Sequence, residues 1–170
     1  MVAGLKQTSS VVSIGFSTVE TGPNTFTQSS VDLNLSPLDR EVFVVQAINM
    51  DPSEPDAIAA QNTTTACSLT TTSQTAVTNL SSANCLATAQ LAIRAGGFVD
   101  GGVSFSRMPE TPGAGTLDYI GIIATNDFFV QLQGAGNLGA KSVAGKLYGY
   151  RARATADIFA ALVQSEVLSA

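Results

Sequence analysis

The sequence predicts an all-β fold, an antiparallel sandwich or barrel of about eight short strands with one or two short helices. Short segments in which apolar and polar residues alternate recur at intervals of roughly ten to twenty residues, separated by Gly, Pro and Asn turn signals. The chain has 170 residues, the size of one domain, and 45% of them are hydrophobic, enough for a core. We divide it into an N-terminal arm (1–10), a β-sandwich domain (11–154) and an amphipathic C-terminal tail (155–170).

The strand at residues 41–50 is central to this prediction. It begins shortly after Pro37 and ends before Pro52, and residues 42–45 are all apolar. Apolar residues on both faces indicate a strand inside a sheet, with other elements packed against each side. We therefore expect the neighbouring segments to form strands that pair with it.

Two half-buried strands are predicted before the central strand, at residues 11–20 and 25–35, with a turn at 21–24. Their inward-facing residues are Val12, Ile14, Phe16, Val31, Leu33 and Leu35. After the central strand we expect a loop from residue 51 to about residue 63. The β-branched and polar segment 64–74 then predicts an exposed strand.

A short helix is predicted at residues 82–95. Leu86, Ala89 and Ile93 recur at helical spacing. Ser82 can cap the N-terminus, and two glycines follow the segment. An Ala-rich strand is the alternative.

The second half of the chain contains the remaining strands. They are predicted at residues 98–107, 116–125, 128–133 and 143–154, with loops at 109–115 and 134–139 and a tight turn at 126–127. Together with the earlier segments this makes about eight strands, which favours a single jelly roll. An immunoglobulin-like sandwich is the second candidate, but the sequence lacks its hallmark Trp.

The tail at residues 155–170 predicts an amphipathic helix, which Thr155 can cap. Its apolar residues at helical spacing are Phe159, Leu162, Val163 and Val167. A lone helix of this length is marginal in water unless its apolar face is packed. We expect that face to lie either on the chain's own barrel or on a neighbouring subunit, where it would act as an assembly clamp.

Charged residues make up only 12% of the chain, about half the usual level, and Ser and Thr take much of their place. A polar but uncharged surface has little self-repulsion and suits extensive protein–protein packing. The net charge is −5 and the cations are scattered, so we expect no binding to nucleic acid or anionic lipid. Residues 1–10 predict no signal peptide, and no apolar run has the length of a membrane span.

Catalytic residues are hard to find in this sequence. It contains no histidine, which removes Ser-His-Asp and Cys-His catalysis and any zinc site with a histidine ligand. Glu41, Asp118 and Asp127 leave a glycosidase carboxylate pair open, but carboxylates at strand ends are more often simply solvated. We expect Cys67 and Cys85 to be buried thiols rather than a disulfide. We predict no enzymatic activity and no cofactor.

Two further motifs have simple structural explanations. Asp51, Glu54 and Asp56 lack the glycine and the terminal Glu of an EF-hand loop, so we predict a solvated acidic loop and no metal site. Residues 134–139 match G-x-G-x-x-G, but a strand is predicted after them, and too little chain remains for a dinucleotide-binding fold. We therefore predict a hairpin loop.

The C-terminal quarter and the composition support a comparison with a known class of proteins. Residues 145–154 read as a closing strand, GKLYGYRARA, residues 158–168 form an apolar tail, and the body is rich in Thr and poor in charge. In these features the chain resembles a small single jelly-roll coat protein of an icosahedral virus. The resemblance implies a structural, self-assembling capsid protein of the virion, without catalysis, whose partners are copies of itself and other capsid proteins.

If the chain is a self-assembling capsid protein, its sequence also indicates where subunits would meet. The candidate interface residues are Phe159, Leu162, Val163, Val167, Arg151 and Arg153. The two arginines and Lys146 are the closest cationic cluster, which we interpret as part of a salt-bridged, partner-facing strand rather than an anion site. Coat proteins that package single-stranded genomes usually carry a basic arm, and the arm here has only Lys6. This suits a shell whose genome is kept away by other proteins or by an internal membrane.

Two alternatives stay open. One is a subunit of an extracellular filament or surface layer that exchanges its termini between neighbours. The other is a carbohydrate-binding β-sandwich, which usually displays an exposed aromatic platform, whereas this chain has no Trp and three Tyr.

Overall fold

The structure of the protein, a computed structural model, describes residues 3–109 and 117–168, which form ten strands and one helix. The elements in chain order are β1 Leu5–Gln7, β2 Val12–Val19, β3 Thr27–Asp32, β4 Glu41–Pro52, β5 Thr63–Thr70, β6 Cys85–Arg94, β7 Val103–Arg107, β8 Gly121–Ile123, β9 Asp127–Ala135, β10 Ser142–Ala154 and α1 Ala156–Leu168.

The strands form two antiparallel sheets that pack as a sandwich. Sheet I has the order β1-β10-β4-β8, with β2 also paired to β10, and sheet II has the order β3-β9-β5-β6-β7. Four pairings are nested along the chain: β2 with β10, β3 with β9, β4 with β8, and β5 with β6. A long antiparallel ribbon wound in this way is a jelly roll. The predicted all-β sandwich is confirmed, and β1 and β7 add two strands to the eight of the ribbon.

Strand β4 has the central position predicted for it. It lies between β10 and β8, and residues 42–45 are at most 1% exposed. Phe43 and Val45 belong to the core between the sheets, whereas Val42 and Val44 belong to a second apolar cluster beneath α1. The apolar residues on both faces of the strand therefore have a packed layer on each side.

The core between the sheets is one apolar cluster. Its largest fully buried side chains are Phe43, Leu69, Ile123, Phe128, Leu132 and Leu147. Phe16 of β2 meets Phe128 of β9 edge to face, with ring centroids 5.9 Å apart and planes at 77°. Because β2 and β9 belong to different sheets, this aromatic pair joins the two layers.

Helix α1 folds back on its own chain, which is the first of the two positions expected for the tail. Its half-buried residues Ile158, Phe159, Leu162 and Val163 pack on the outer face of sheet I, against the cluster that contains Val42, Val44, Tyr150 and Ala152. The predicted arm contributes to the same region. Leu5 of β1 is buried there opposite Ala154, and the N–H of Thr155 donates to the carbonyl oxygen of Gly4 at 3.1 Å.

The helix predicted at residues 82–95 is wrong, because this segment forms the strand β6. Ala87 and Ala89 face the core, and β6 is paired with β5 on one side and with β7 on the other. Two ladders of backbone hydrogen bonds outweigh a local helical spacing of three side chains. The Ala-rich strand that was the alternative is the observed structure.

The exposed strand predicted at residues 64–74 is also wrong in its burial. β5 lies in the middle of sheet II, and Thr63, Thr65, Ser68 and Thr70 are buried. The Thr63 hydroxyl donates to the carbonyl oxygen of Asp56 at 2.7 Å, and Ser68 and Thr70 form hydrogen bonds with Gln131, whereas the buried Thr65 hydroxyl has no hydrogen-bond partner among the described residues.

Gln131 of β9 is the centre of these contacts. Its side-chain oxygen accepts from Ser68 Oγ at 2.7 Å, and its amide nitrogen donates to Thr70 Oγ1 at 2.7 Å and to Gln28 Oε1 at 2.9 Å. The connection between β5 and β6 lies over this outer face, where the N–H of Thr78 donates to Ser68 Oγ at 3.2 Å. A polar face of the sheet is thus covered by its own loop.

Some boundaries differ from the prediction. The strand predicted at residues 98–107 begins only at Val103, and the one predicted at 116–125 is reduced to β8, Gly121–Ile123. Residues 110–116 are outside the described residues, so residue 116 and most of the loop predicted at 109–115 fall there. β4 continues through Pro52, two residues into the segment predicted as a loop.

Candidate functional site

The glycine-rich segment 134–139 connects the two sheets. β9 lies in sheet II and β10 in sheet I, so the segment is a crossover and the predicted hairpin is wrong. Gly136 has φ +71°, and a Cβ there would lie 2.6 Å from the carbonyl oxygen of Asn62. A Cβ on Gly134 would lie 2.6 Å from the side-chain nitrogen of Asn137. Gly136 is therefore required by close packing of loops at one end of the sandwich, whereas a Cβ on Gly134 would require the Asn137 side chain to shift.

Two carboxylates hold this crossover in place. Buried Glu20 accepts from the N–H of Gly134 at 2.6 Å and from the N–H of Lys141 at 2.8 Å. Asp56 Oδ1 pairs with Lys141 Nζ at 2.7 Å. Its Oδ2 accepts from the N–H groups of Leu138 and Gly139 at 2.8 and 3.1 Å. These contacts, the hydrogen bond from Lys141 above all, lower the pKa of Asp56.

Asp56, one of the three acidic residues of the predicted solvated loop, contacts Lys141 and the backbone of the crossover. Among the described residues no group of three or more Cys, Asp or Glu side chains is arranged to hold a metal ion. The carboxylate candidate Glu41 is likewise engaged: it accepts from the N–H of Ser36 at 3.0 Å and lies 3.3 Å from Arg151. These charges stabilise loops.

Both cysteines are buried free thiols, as predicted. Cys67 lies in the core between the sheets, and burial raises the pKa of its thiol to about 12. Burial also raises the pKa of the Cys85 thiol. A thiol with a raised pKa is mostly protonated at neutral pH and is a poor nucleophile.

The candidate interface residues are placed mainly within the subunit. Phe159, Leu162 and Val163 are half-buried on sheet I, while Val167 is 64% exposed and points away from it. Arg151 Nη2 donates to the carbonyl oxygen of Leu33 at 2.6 Å and Nη1 to that of Asn34 at 2.9 Å, so this residue ties β10 to the segment after β3. Arg153 forms an exposed ion pair of 3.5 Å with Asp39.

An exposed apolar surface that the local sequence pattern does not indicate lies at the far edge of sheet II. We call it the β7 rim and define it as Val103 and Phe105 of β7 together with Phe98 and Val99 of the preceding β6–β7 connection, all four of which are exposed. All five residues of β7 are exposed, Phe105 is 57% exposed, and Val99 is 88% exposed. The Val-Ser-Phe-Ser alternation predicts a half-buried strand. Only its position at the sheet edge reveals that the apolar face is open to solvent.

The outer face of the β7 rim borders a cleft of about 550 Å³. The register places Phe105 beside Ala92 and Arg107 beside Gln90 of β6. The guanidinium of Arg107 donates to the Gln90 side-chain oxygen. Because Ala92 is small, one side of the Phe105 ring is uncovered, and the cleft combines this ring with polar and cationic side chains, among them Gln90, Arg94 and Arg107.

Within the described residues, no helix has both the length and the apolar character needed to cross a bilayer. Comparison of the chain with protein-family models, with curated proteins and with solved structures finds no match.

Proposed function

We propose that this chain is a structural, self-assembling protein and that it forms the shell of a virion as a capsid protein. The β7 rim carries the proposal. Large apolar side chains exposed together at a sheet edge are uncommon on a monomer and are typical of surfaces that bind another protein. The rim is a better candidate for a subunit contact than Phe159, Leu162 and Val163, which are already half-buried on sheet I.

Charge supports self-association as well. The chain has a net charge of −5 and only 12% charged residues, so electrostatic repulsion between copies is weak. Fully burying a Phe or Val side chain contributes on the order of 1.5–3 kcal/mol before entropy costs. Each contact would be modest, but a shell repeats it many times.

The winding of the chain favours the capsid among self-assembling proteins. Jelly rolls of two packed sheets occur in viral capsid, lectin and cupin domains. A carbohydrate-binding site usually displays an exposed Trp or Tyr platform, whereas this chain has no Trp and its exposed aromatic residues are Phe98 and Phe105, whose rings carry no polar atom. The filament subunit is the second candidate, because no described strand pairs with the outer edge of β7, onto which another chain could add a strand.

Negative-stain electron microscopy of the purified protein tests the proposal. The expected images contain closed particles of uniform size. Fibres or sheets would favour the filament or surface-layer subunit, and fields that contain only monomer-sized particles at every concentration tested would overturn the proposal of a shell.

A further inference from the structure

We infer that β7 is a two-fold seam, at which β7 of one copy pairs antiparallel with β7 of a second copy. Such a pairing would join two five-stranded sheets into one continuous sheet, with Phe105 opposite the partner's Phe105. The inference rests on the proposed self-assembly and names the contact through which it begins.

The backbone of β7 is available for this pairing. One edge of the strand is bonded to β6, and among residues 3–109 and 117–168 no strand pairs with the other edge. Natural edge strands are usually protected by a Lys, a Pro, a bulge or an inward-pointing charge. Residues 103–107 contain no Lys or Pro, and their pairing with β6 has no register shift. The one charged residue, Arg107, stands at the end of the strand.

The sequence of β7 is nearly the same in both directions. It reads Val-Ser-Phe-Ser-Arg, with Phe105 at its centre. An antiparallel pair whose two-fold axis passes between the two Phe105 residues sets Ser104 opposite the partner's Ser106 and Val103 opposite the partner's Arg107. Such self-complementarity is what an isologous contact between identical chains requires.

The side chains are compatible in this register. Val103, Phe105 and Arg107 share the outer face of the sheet, in register with Arg94, Ala92 and Gln90 of β6. The two aromatic rings meet side by side at the axis, next to the small Ala92 of each copy. Arg107 meets an aliphatic residue rather than a second arginine, so its methylene groups can pack while its charge stays in solvent.

The opposite face places only serines at the seam. Ser104 and Ser106 are in register with Ile93 and Leu91 of β6, and both are exposed. Two small hydroxyl groups opposite each other cause no steric conflict and can form hydrogen bonds across the strands. The side chains on both faces of β7 are thus compatible with a second copy in the register that places Phe105 at the two-fold axis.

Cysteine cross-linking tests that register. Directly opposite residues have Cα atoms about 4.5–5.5 Å apart, within the range of a disulfide, about 4.4–6.8 Å. Diagonal residues are about 7–8 Å apart. We expect little oxidised dimer from Ser104→Cys alone or Ser106→Cys alone, and at least a fivefold stronger dimer band when the two variants are mixed. Cys67 and Cys85 are buried and should not react.

A second pair of variants tests the rim without relying on a disulfide. Phe105→Lys should weaken self-association in sedimentation equilibrium by about tenfold or more, because two charges would meet at the axis. Leu38→Lys is the matched control, since Leu38 is 95% exposed in a turn between β3 and β4 and lies in neither strand of the seam. Both variants should keep the wild-type circular dichroism spectrum and melting temperature.

The outcomes separate this inference from the proposed function. If the wild type assembles but the mixed cysteine variants give no more dimer than the single ones, the seam is wrong and the self-assembling role stands. If the mixed variants cross-link but the wild type never exceeds a dimer, the seam stands and the shell does not. A wild type that remains monomeric without any cross-link overturns both.

Discussion

The carboxylate of Glu166 in α1 accepts a hydrogen bond from the backbone N–H of Ala124 at 2.8 Å, just beyond the end of β8. Its second oxygen accepts from the N–H of Thr125 at 3.1 Å. Glu166 is the one residue of α1 that is buried. Glu166 links the last turns of the helix to the edge of sheet I. The hydrogen bond from the N–H of Thr155 to the carbonyl oxygen of Gly4 links the start of the helix to the residue before β1.

Removing this carboxylate should loosen the helix. Glu166→Ala leaves two backbone N–H groups without their acceptor, and we expect it to lower the free energy of unfolding by about 1–3 kcal/mol. Glu166→Gln keeps an acceptor oxygen and removes a buried charge, so it should stay close to the wild type. Urea denaturation followed by circular dichroism measures both, with exposed Glu54→Ala as the control. Equal stability of Glu166→Ala and the wild type would show that the contact contributes nothing.

The pH dependence of stability should have opposite signs at Glu166 and Asp56. Burial raises the pKa of Glu166 above 4.5, so its contribution is complete below that pH and is lost as the pH rises through the raised pKa. The pKa of Asp56 is lowered from 3.8, so its contribution is present above that pH and is lost as the pH falls through the lowered pKa. Unfolding of Glu166→Gln and Asp56→Asn from pH 2 to pH 7, each compared with the wild type, should show these two trends. Parallel curves for all three proteins would contradict the assignment.

The glycines of the crossover should differ sharply in their tolerance of alanine. Gly136→Ala places a Cβ at positive φ and 2.6 Å from a backbone oxygen, and we expect a loss of about 1–3 kcal/mol. Gly139→Ala meets nothing within 4 Å, so its melting temperature should lie within experimental error of the wild type. If both substitutions were equally harmless, the crossover would not be packed as described.

The apolar face of α1 should contribute to the stability of the subunit itself. Phe159→Ala removes a half-buried ring from the cluster over sheet I, and we expect a loss of about 1–3 kcal/mol, below the usual cost of a fully buried Phe. Val167→Ala is the control on the same helix and should change the free energy by less than about 0.5 kcal/mol, because Val167 is largely exposed. Thermal unfolding compares the two. A larger effect of Val167→Ala would mean that the helix packs through its other face.

The sequence predicts those parts of the fold whose signal is local. The strand around residues 42–45 could be identified because its apolar residues face a packed layer on each side, and α1 because its apolar residues recur at helical spacing. β6 was mistaken for a helix because the ladders that fix it come from strands elsewhere in the chain. The burial of Ser68 depends on Gln131, 63 residues away, and no local pattern contains that information.

The exposure of the β7 rim could not be predicted from the sequence for the same reason. Val103 and Phe105 alternate with serines as in a strand that buries its apolar face, and the sequence alone gives no reason to expect that face to be open. Its exposure follows from the strand order, which places β7 at the end of sheet II. Candidate interface residues in the tail were chosen from amphipathicity, and amphipathicity does not distinguish a neighbour from the chain's own sheet.

Sedimentation velocity of the wild-type protein tests the central claim, which is that the chain self-associates. Measured at physiological salt over a hundredfold range of concentration, the distribution should shift with concentration from small species to dimers and larger assemblies. Phe105→Lys should shift the same series back toward the monomer. A single monomeric species at every concentration, with the wild type and Phe105→Lys indistinguishable, would contradict the account.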